Sequence, residues 1–403
     1  MLADQHLPVK MRSSVLLSLA GSALVSAQGY TPGSTAPTDA LAAEALSKLT
    51  LHADLDNLSR ACNSNNVARR REWGDLSPAE RREYIAAVQC LMSLPSLHDP
   101  VQVPGAISRY DDFVAVHINQ TFEIHGTANF LSWHRYITWT YEQALRSECG
   151  YTGYQPYWNW GKHAHDPQNS PLFDGSDTSM SGNGAYYPHN CTDALGTGAN
   201  CIPPGTGGGC VETGPFANMT VNLGLLAPSL RADNIEADFT GGFFGHKPRC
   251  LRRDISQWVS SQWGRDADTL ELLTNYTTIS DFQNRMQGDF GTGFFGVHTA
   301  GHFTIGGDPG GDFFASNGDP AFYLHHGEID RVWWIWQNLE PSARTDAISG
   351  TITIFNSPPS RNGTLEDILD MGINNPLAQG PRPIADLMST VGQGGGPLCY
   401  IYV

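Results

Sequence analysis

Apolar residues recur at helical spacing in several separate stretches of the chain. The first begins near Leu46, and the second is "SPAERREYIAAVQCLMSL". There Ser77 can cap, Pro78 takes the first helical position and Glu80 completes a capping box. A third helix is predicted across "NFLSWHRYITWTYEQALRSE", residues 129–148, where the apolar positions keep helical spacing without Pro or Gly. The pattern returns at 280–304 and 321–338, with a short helix expected at 364–371. Between these stretches the character changes. Residues 28–45 are small and polar and read as a loose lead-in, while 161–250 are rich in Gly, Pro, Asn and Ser. Such a segment cannot supply a core of its own and is expected to form long surface loops. With no internal repeat, the pattern predicts one helical domain over residues 46–403.

Composition narrows the setting. The chain carries 24 Lys and Arg against 40 Asp and Glu, an acidic balance that argues against nucleic acid or an anionic membrane as partner. Lys10 and Arg12 precede the apolar run "SVLLSLAGSALVSA", which ends in small residues at Val25-Ser26-Ala27. That is a signal-peptide pattern, with cleavage expected after Ala27, and the run is too short to span a bilayer. Secretion is the expectation. Eight cysteines, Cys62, Cys90, Cys149, Cys191, Cys201, Cys210, Cys250 and Cys399, contain no CxxC pair and read as disulfides in an oxidising compartment, with pairing left open. Sequons at Asn57, Asn119, Asn190, Asn218, Asn275 and Asn362 offer sites for N-linked glycans.

The histidines change the picture most. His117, His125 and His134 fall within 18 residues, and His298, His302 and His326 form a second group. In "HTAGH" the i, i+4 spacing puts His298 and His302 one turn apart on one helix face, as a shared metal requires. Taken singly, a histidine on an apolar face is more often a hydrogen-bonded core residue than a ligand; the joint spacing is what points to metal. Helices facing each other with imidazoles turned inward would form a four-helix bundle with a metal core. The expected fold is therefore mainly α, a central four-helix bundle surrounded by long disulfide-pinned loops with few short strands. Neutral imidazole suits copper, zinc, iron and nickel. The zinc-protease signature needs Glu after the first His of its pair, and Thr299 stands there. Spacing leaves Glu123 and Asp312 open as carboxylate partners. Two sets of three nitrogens favour two copper ions that react with dioxygen.

"HTAGH" and "DPAFYLHHGEIDRVWWIWQ", residues 319–337, resemble the second copper motif of the tyrosinase and catechol oxidase family almost position for position. "FEIHGTANFLSWHRYI" preceded by His117 is similar to the first. "RREWGDLSPAERREYIAAVQCLMSLPS", "PYWNW" and the closing "CYIYV" match the family's opening segment, aromatic turn and terminal Tyr-x-Tyr. The resemblance covers about residues 60–403 and is closest to short secreted fungal forms, without the capping domain of longer relatives.

It implies that His117, His125 and His134 hold one copper and His298, His302 and His326 the other. His325 would then lie in the outer shell beside the substrate path. Asp330 is expected either to accept from an imidazole N–H or to pair with Arg331. The implied reaction is the oxidation of ortho-diphenols to ortho-quinones by dioxygen, with small phenols as partners and ortho-aminophenols not excluded. In the family, strong monophenol hydroxylation goes with a Glu before the first His of the second motif and an Asn after it. Here Gln287 and Thr299 stand at those positions, and Gln has no basic carboxylate, so catechol oxidation is expected over true tyrosinase activity. The family's thioether link is not expected, since Cys90 is the nearest cysteine before His125. Phe313 and Phe314 are the candidates for the family's gate residue. A haemocyanin-like oxygen carrier, which shares the six histidines, is the competing reading, and a dizinc hydrolase lacks bridging carboxylates.

Overall fold

In the computed structural model the described residues are 30–53, 62–194, 201–227, 236–289, 291–392 and 395–403. The expected signal peptide and the sequon at Asn57 lie outside them. The helices run α1 Ala36–Ala53, α2 Pro78–Ser93, α3 Arg109–Ile124, α4 Phe130–Cys149, α5 Trp160–His163, α6 Gln257–Trp263, α7 Asp266–Asn275, α8 Ile279–Gln287, α9 Gly296–Ile305 and α10 Phe322–Leu339. The strands are two to four residues long and occur only in pairs among the described residues. No described helix is long and apolar enough to cross a membrane.

The expected bundle is present. α4 packs against α3 and α10, and α10 packs against α9, so the four helices that carry the histidine groups share one core. Trp133, Trp333, Trp334 and Trp336 fill it and are buried. The capping box of α2 forms as predicted, with the Ser77 side chain accepting from the Glu80 backbone and Glu80 returning the bond. The hydrophobic pattern alone did not mark α3, although a bundle with two helices per histidine group required a helix there. A second capping box, Ser108 with Asp111, starts it, and twelve of its residues, Arg109, Asp111 and Asp112 among them, are buried. Those polar positions blur the amphipathic stripe that periodicity relies on.

Three other expectations need correction. α1 begins at Ala36, inside the stretch read as a loose lead-in: its Ala and Leu residues favour helix, and Asp39 ties it to α10 through Arg331 at 3.0 Å. The predicted helix at 280–304 is two helices. Gly288 takes a positive φ of 110° and closes α8 by donating to the Asn284 carbonyl, after which Asp289 pairs with Phe294 in a tight turn before α9. No helix forms at 364–371; Ile368–Leu369 pairs antiparallel with Arg382–Pro383. There the Asp367 carboxylate accepts from Arg361 and from the Thr364 backbone, a local turn that competes with helix.

The loops of 161–250 are pinned as expected. The disulfides are Cys62–Cys399, Cys90–Cys149, Cys191–Cys201 and Cys210–Cys250. Arg253 adds a polar pin: it makes two bonds of 2.7 Å to Asp319 at the start of α10 and also donates to the Met180 and Ser181 carbonyls. At the other end of the molecule Ala68–Arg70 pairs in parallel with Tyr400–Tyr402. This pairing delivers Arg70, Tyr400 and Tyr402 to Asp330, which also takes Arg135 at 2.6 Å. Asp330 therefore contacts neither a histidine nor Arg331, whose partners are Glu328 and Asp39. Burial alone would raise the Asp330 carboxyl, but Arg135, Arg70 and the two tyrosine hydroxyls hold it below its usual range.

Candidate metal centre

The first histidine group is assembled around the α3–α4 corner. His117 lies on α3, His125 just past its end, and His134 one turn into α4. Each ring is oriented by a backbone carbonyl. His117 Nδ1 donates to Phe314 at 2.7 Å, His125 Nδ1 to Thr121 at 3.0 Å and His134 Nδ1 to Phe130 at 2.8 Å. In a neutral imidazole a proton on Nδ1 leaves the lone pair on Nε2 free. The Nε2 atoms of His117 and His134 are buried without a hydrogen-bond partner, a costly arrangement in an apolar core unless something binds there. One ring nitrogen from each of the three lies within 4.8 Å of the others.

The second group faces it from α9 and α10. His302 Nε2 is 3.3 Å from His298 Nε2 and 3.2 Å from His326 Nε2. With the protons on Nδ1 the three lone pairs would converge on one point, as a shared cation requires, and an all-imidazole set suits copper or zinc. The two groups touch where His134 and His326 stack, with ring centroids 4.4 Å apart. Burial drives all six imidazoles below their ordinary pKa, His125 to about 4. At neutral pH they are uncharged bases, the form a metal needs. The residues present fit two metal ions with three nitrogens each.

His325 packs within the second group, a nitrogen of its ring lying within 4.8 Å of the others, but its hydrogen bonding sets it apart. Trp160 Nε1 donates to its Nδ1 at 3.1 Å, which puts the ring proton on Nε2 and leaves no lone pair for a metal. Burial lowers its pKa to about 3. The ring fits against Gly301, where a Cβ would collide with it. It is 0 % exposed and does not line the cavity. The expectation that His325 lies beside the substrate path is therefore corrected: its ring packs against His298 and His302, with centroids 5.7 and 4.7 Å away, but is buried against Gly301 and Trp160 and is not among the residues lining the cavity.

A cavity of about 1300 Å³ reaches His125, His298 and His302 from outside. Gln287 and Thr299 both line it, but their polar atoms are engaged. Gln287 Oε1 accepts from the Gly126 backbone at 2.8 Å and its amide donates to the Gln283 carbonyl, while Thr299 Oγ1 donates to the Gln287 carbonyl at 2.7 Å. Of the two gate candidates, Phe313 lines the cavity, 39 % exposed, with its ring centroid 4.8 Å from that of His125. Phe314 does not; it packs on Phe122 and Phe243 and supplies the carbonyl that holds His117. Asp312 accepts from the backbone of Leu226, Ala227, Phe314 and Ala315 and is a brace for that loop. Burial pushes its carboxyl up. Sequence reasoning did not reach Trp160, Gly301 or the Gln287–Gly126 bond. "PYWNW" was the one signal available, and nothing local says which ring Trp160 meets.

Residues 107–339 match the family model described as the common central domain of tyrosinase. The chain is 39 % identical over 345 residues to tyrosinase P of Aspergillus terreus, covering 85 % of this chain and 93 % of that one. It is 38 % identical over 354 residues to N-acetyl-6-hydroxytryptophan oxidase of Emericella nidulans, with the same shares covered, 85 % and 93 %. Among solved structures it is similar to a variant polyphenol oxidase from Thermothelomyces thermophila, with 41 % identity, a TM-score of 0.83 and coverage of 92 % of this chain and 98 % of that one.

Proposed function

The chain belongs to the tyrosinase family of dinuclear copper oxidoreductases, and from that premise we propose that it oxidises ortho-diphenols to ortho-quinones with dioxygen. In this reading His117, His125 and His134 hold one copper, and His298, His302 and His326 hold the other. The copper pair supplies two-electron exchange between dioxygen and a catechol. The protein keeps six imidazoles neutral, orients three of them through backbone carbonyls, and offers substrate an approach through the cavity at His125, His298 and His302. Phe313 against the His125 ring narrows that approach.

The observation that carries the preference for diphenols is at Gln287. A monophenol must lose its hydroxyl proton to a base near the second copper. Gln287 is an amide whose oxygen is already taken by the Gly126 N–H, and the Thr299 hydroxyl is committed to a carbonyl. A catechol needs less help, because its first proton is more acidic than that of a monophenol.

Oxygen uptake by the copper-loaded protein tests this with catechol, a monophenol, an ortho-aminophenol and a hydroxyindole in parallel. The last arm is prompted by the name of the Emericella relative. Rapid uptake with catechol and a rate at least about tenfold lower with the monophenol is expected. Equal rates would mean true tyrosinase activity, and no uptake with any of them would favour an oxygen carrier. Secretion belongs to the same proposal, supported by the four disulfides and by exposed sequons at Asn119, Asn190, Asn218, Asn275 and Asn362. N-terminal sequencing of protein from culture medium should begin at Gln28.

A further inference from the structure

Phe355 is a conspicuous residue for its position. It adopts φ 50° and ψ 27°, and Asn356 follows at φ 54°. Two successive side-chain-bearing residues in the left-handed region cost free energy, and such strain persists only where the surroundings hold it. They do so here. Thr353 Oγ1 donates to the Pro358 carbonyl at 2.7 Å and the Ser360 N–H to Asn356 Oδ1 at 2.8 Å. The loop is tied to the first histidine group by Ala128 N–H donating to Thr351 at 2.9 Å and Phe355 N–H donating to Gly126 at 3.2 Å.

What this strained, fastened loop presents is an aromatic ring left 68 % exposed. The ring edge lies against Gly126, where a Cβ would come within 2.9 Å of Phe355 Cε1. Gly126 directly follows His125, and Phe355 lines the same cavity as His125, His298 and His302. A phenylalanine so exposed gains little from burial in the free protein, so its position is not explained by packing. The cavity, at about 1300 Å³, exceeds the roughly 300–1,000 Å³ common for small-ligand sites, leaving room beyond a single ring held at the histidines.

We infer that Phe355 is a specificity-determining residue whose ring receives a second aromatic ring of the substrate, remote from the reacting hydroxyls, so that the preferred phenols are larger than one ring. The inference rests on the proposed diphenol oxidation. Offset or edge-to-face contact with Phe355 adds affinity without touching the reacting atoms, and its effect falls on KM.

The test compares the copper-loaded wild type with Phe355→Ala and Phe355→Leu on catechol and on 4-phenylcatechol. Phe355→Ala should raise KM for 4-phenylcatechol about five- to tenfold and leave its kcat and both constants for catechol within about twofold. Phe355→Leu, which keeps apolar bulk, should fall between. Calorimetric binding of 4-phenylcatechol with oxygen excluded should weaken by the same factor, a readout independent of turnover. Equal losses on both substrates would overturn the inference, because Phe355 would then only brace Gly126; so would an unchanged KM and affinity for 4-phenylcatechol. If wild type oxidises neither phenol yet Phe355→Ala still weakens anaerobic binding of 4-phenylcatechol, the proposed reaction fails and the recognition role stands.

Discussion

The two histidine groups contain the same number of imidazoles and are built on different principles. In the first, every Nδ1 donates to a backbone carbonyl, two of them four residues earlier in the chain and one across the fold at Phe314. Ring orientation there is set by main-chain geometry. In the second, the rings come from two helices whose Nε2 atoms converge to 3.2 and 3.3 Å. There the Nδ1 atoms of His298 and His326 are buried without a partner. The first group is organised by hydrogen bonds, the second by close packing around Gly301 and His325. A metal should therefore matter more for the order of the second than of the first.

The largest test of that contrast removes a ligand from each side. His134→Ala and His326→Ala should each abolish binding of one copper and reduce oxidation more than about 100-fold. His325→Ala should retain both metals by elemental analysis, and loss of copper from that variant would mean the wrong histidine has been assigned. Acid comes next. Since the folded pKa values lie below those of free histidine, the unfolded chain takes up protons first as pH falls. Stability of the copper-free protein should be full above the free-histidine value of about 6.5 and decline as pH drops below it, with the His125 contribution exhausted near its folded pKa of about 4. Thermal melts across pH 4–8 check this, and a flat profile would contradict the buried neutral imidazoles.

Gly301→Ala probes the packed group alone. A methyl there meets the His325 ring, so a loss of about 1–3 kcal/mol is expected, with weaker copper retention at the second group and little change at the first. The smallest effect should come from the hydrogen-bonded side. Gln287→Ala deletes the acceptor of the Gly126 N–H and should cost about 1 kcal/mol in denaturant unfolding, whereas Gln287→Glu keeps an acceptor and should recover most of it. A larger loss at Gln287 than at Gly301 would reverse the contrast.

Much of the site can be read along the chain. "HTAGH" places two rings on one helix face, and the long aromatic helix beginning at Phe322 is visible in its residues. These features depend on local periodicity, which sequence carries directly. Asp330 illustrates the limit. Two local readings, imidazole acceptor or partner of Arg331, were available, and the actual partners come from residues 70, 135, 400 and 402. No spacing rule connects positions so far apart.

The sequence by itself determined the helical class, the two histidine groups and the amide at Gln287, because each follows from residue identity and short-range spacing. Only the tertiary structure decided that Trp160 takes the Nδ1 of His325, how eight cysteines pair, and that Phe355 lines the cavity. Those outcomes depend on where a lone pair, a sulfur or a ring meets its partner in space. Such a meeting is settled by contacts between segments that lie tens to hundreds of residues apart, such as Trp160 with His325, Cys62 with Cys399 and Gly126 with Phe355.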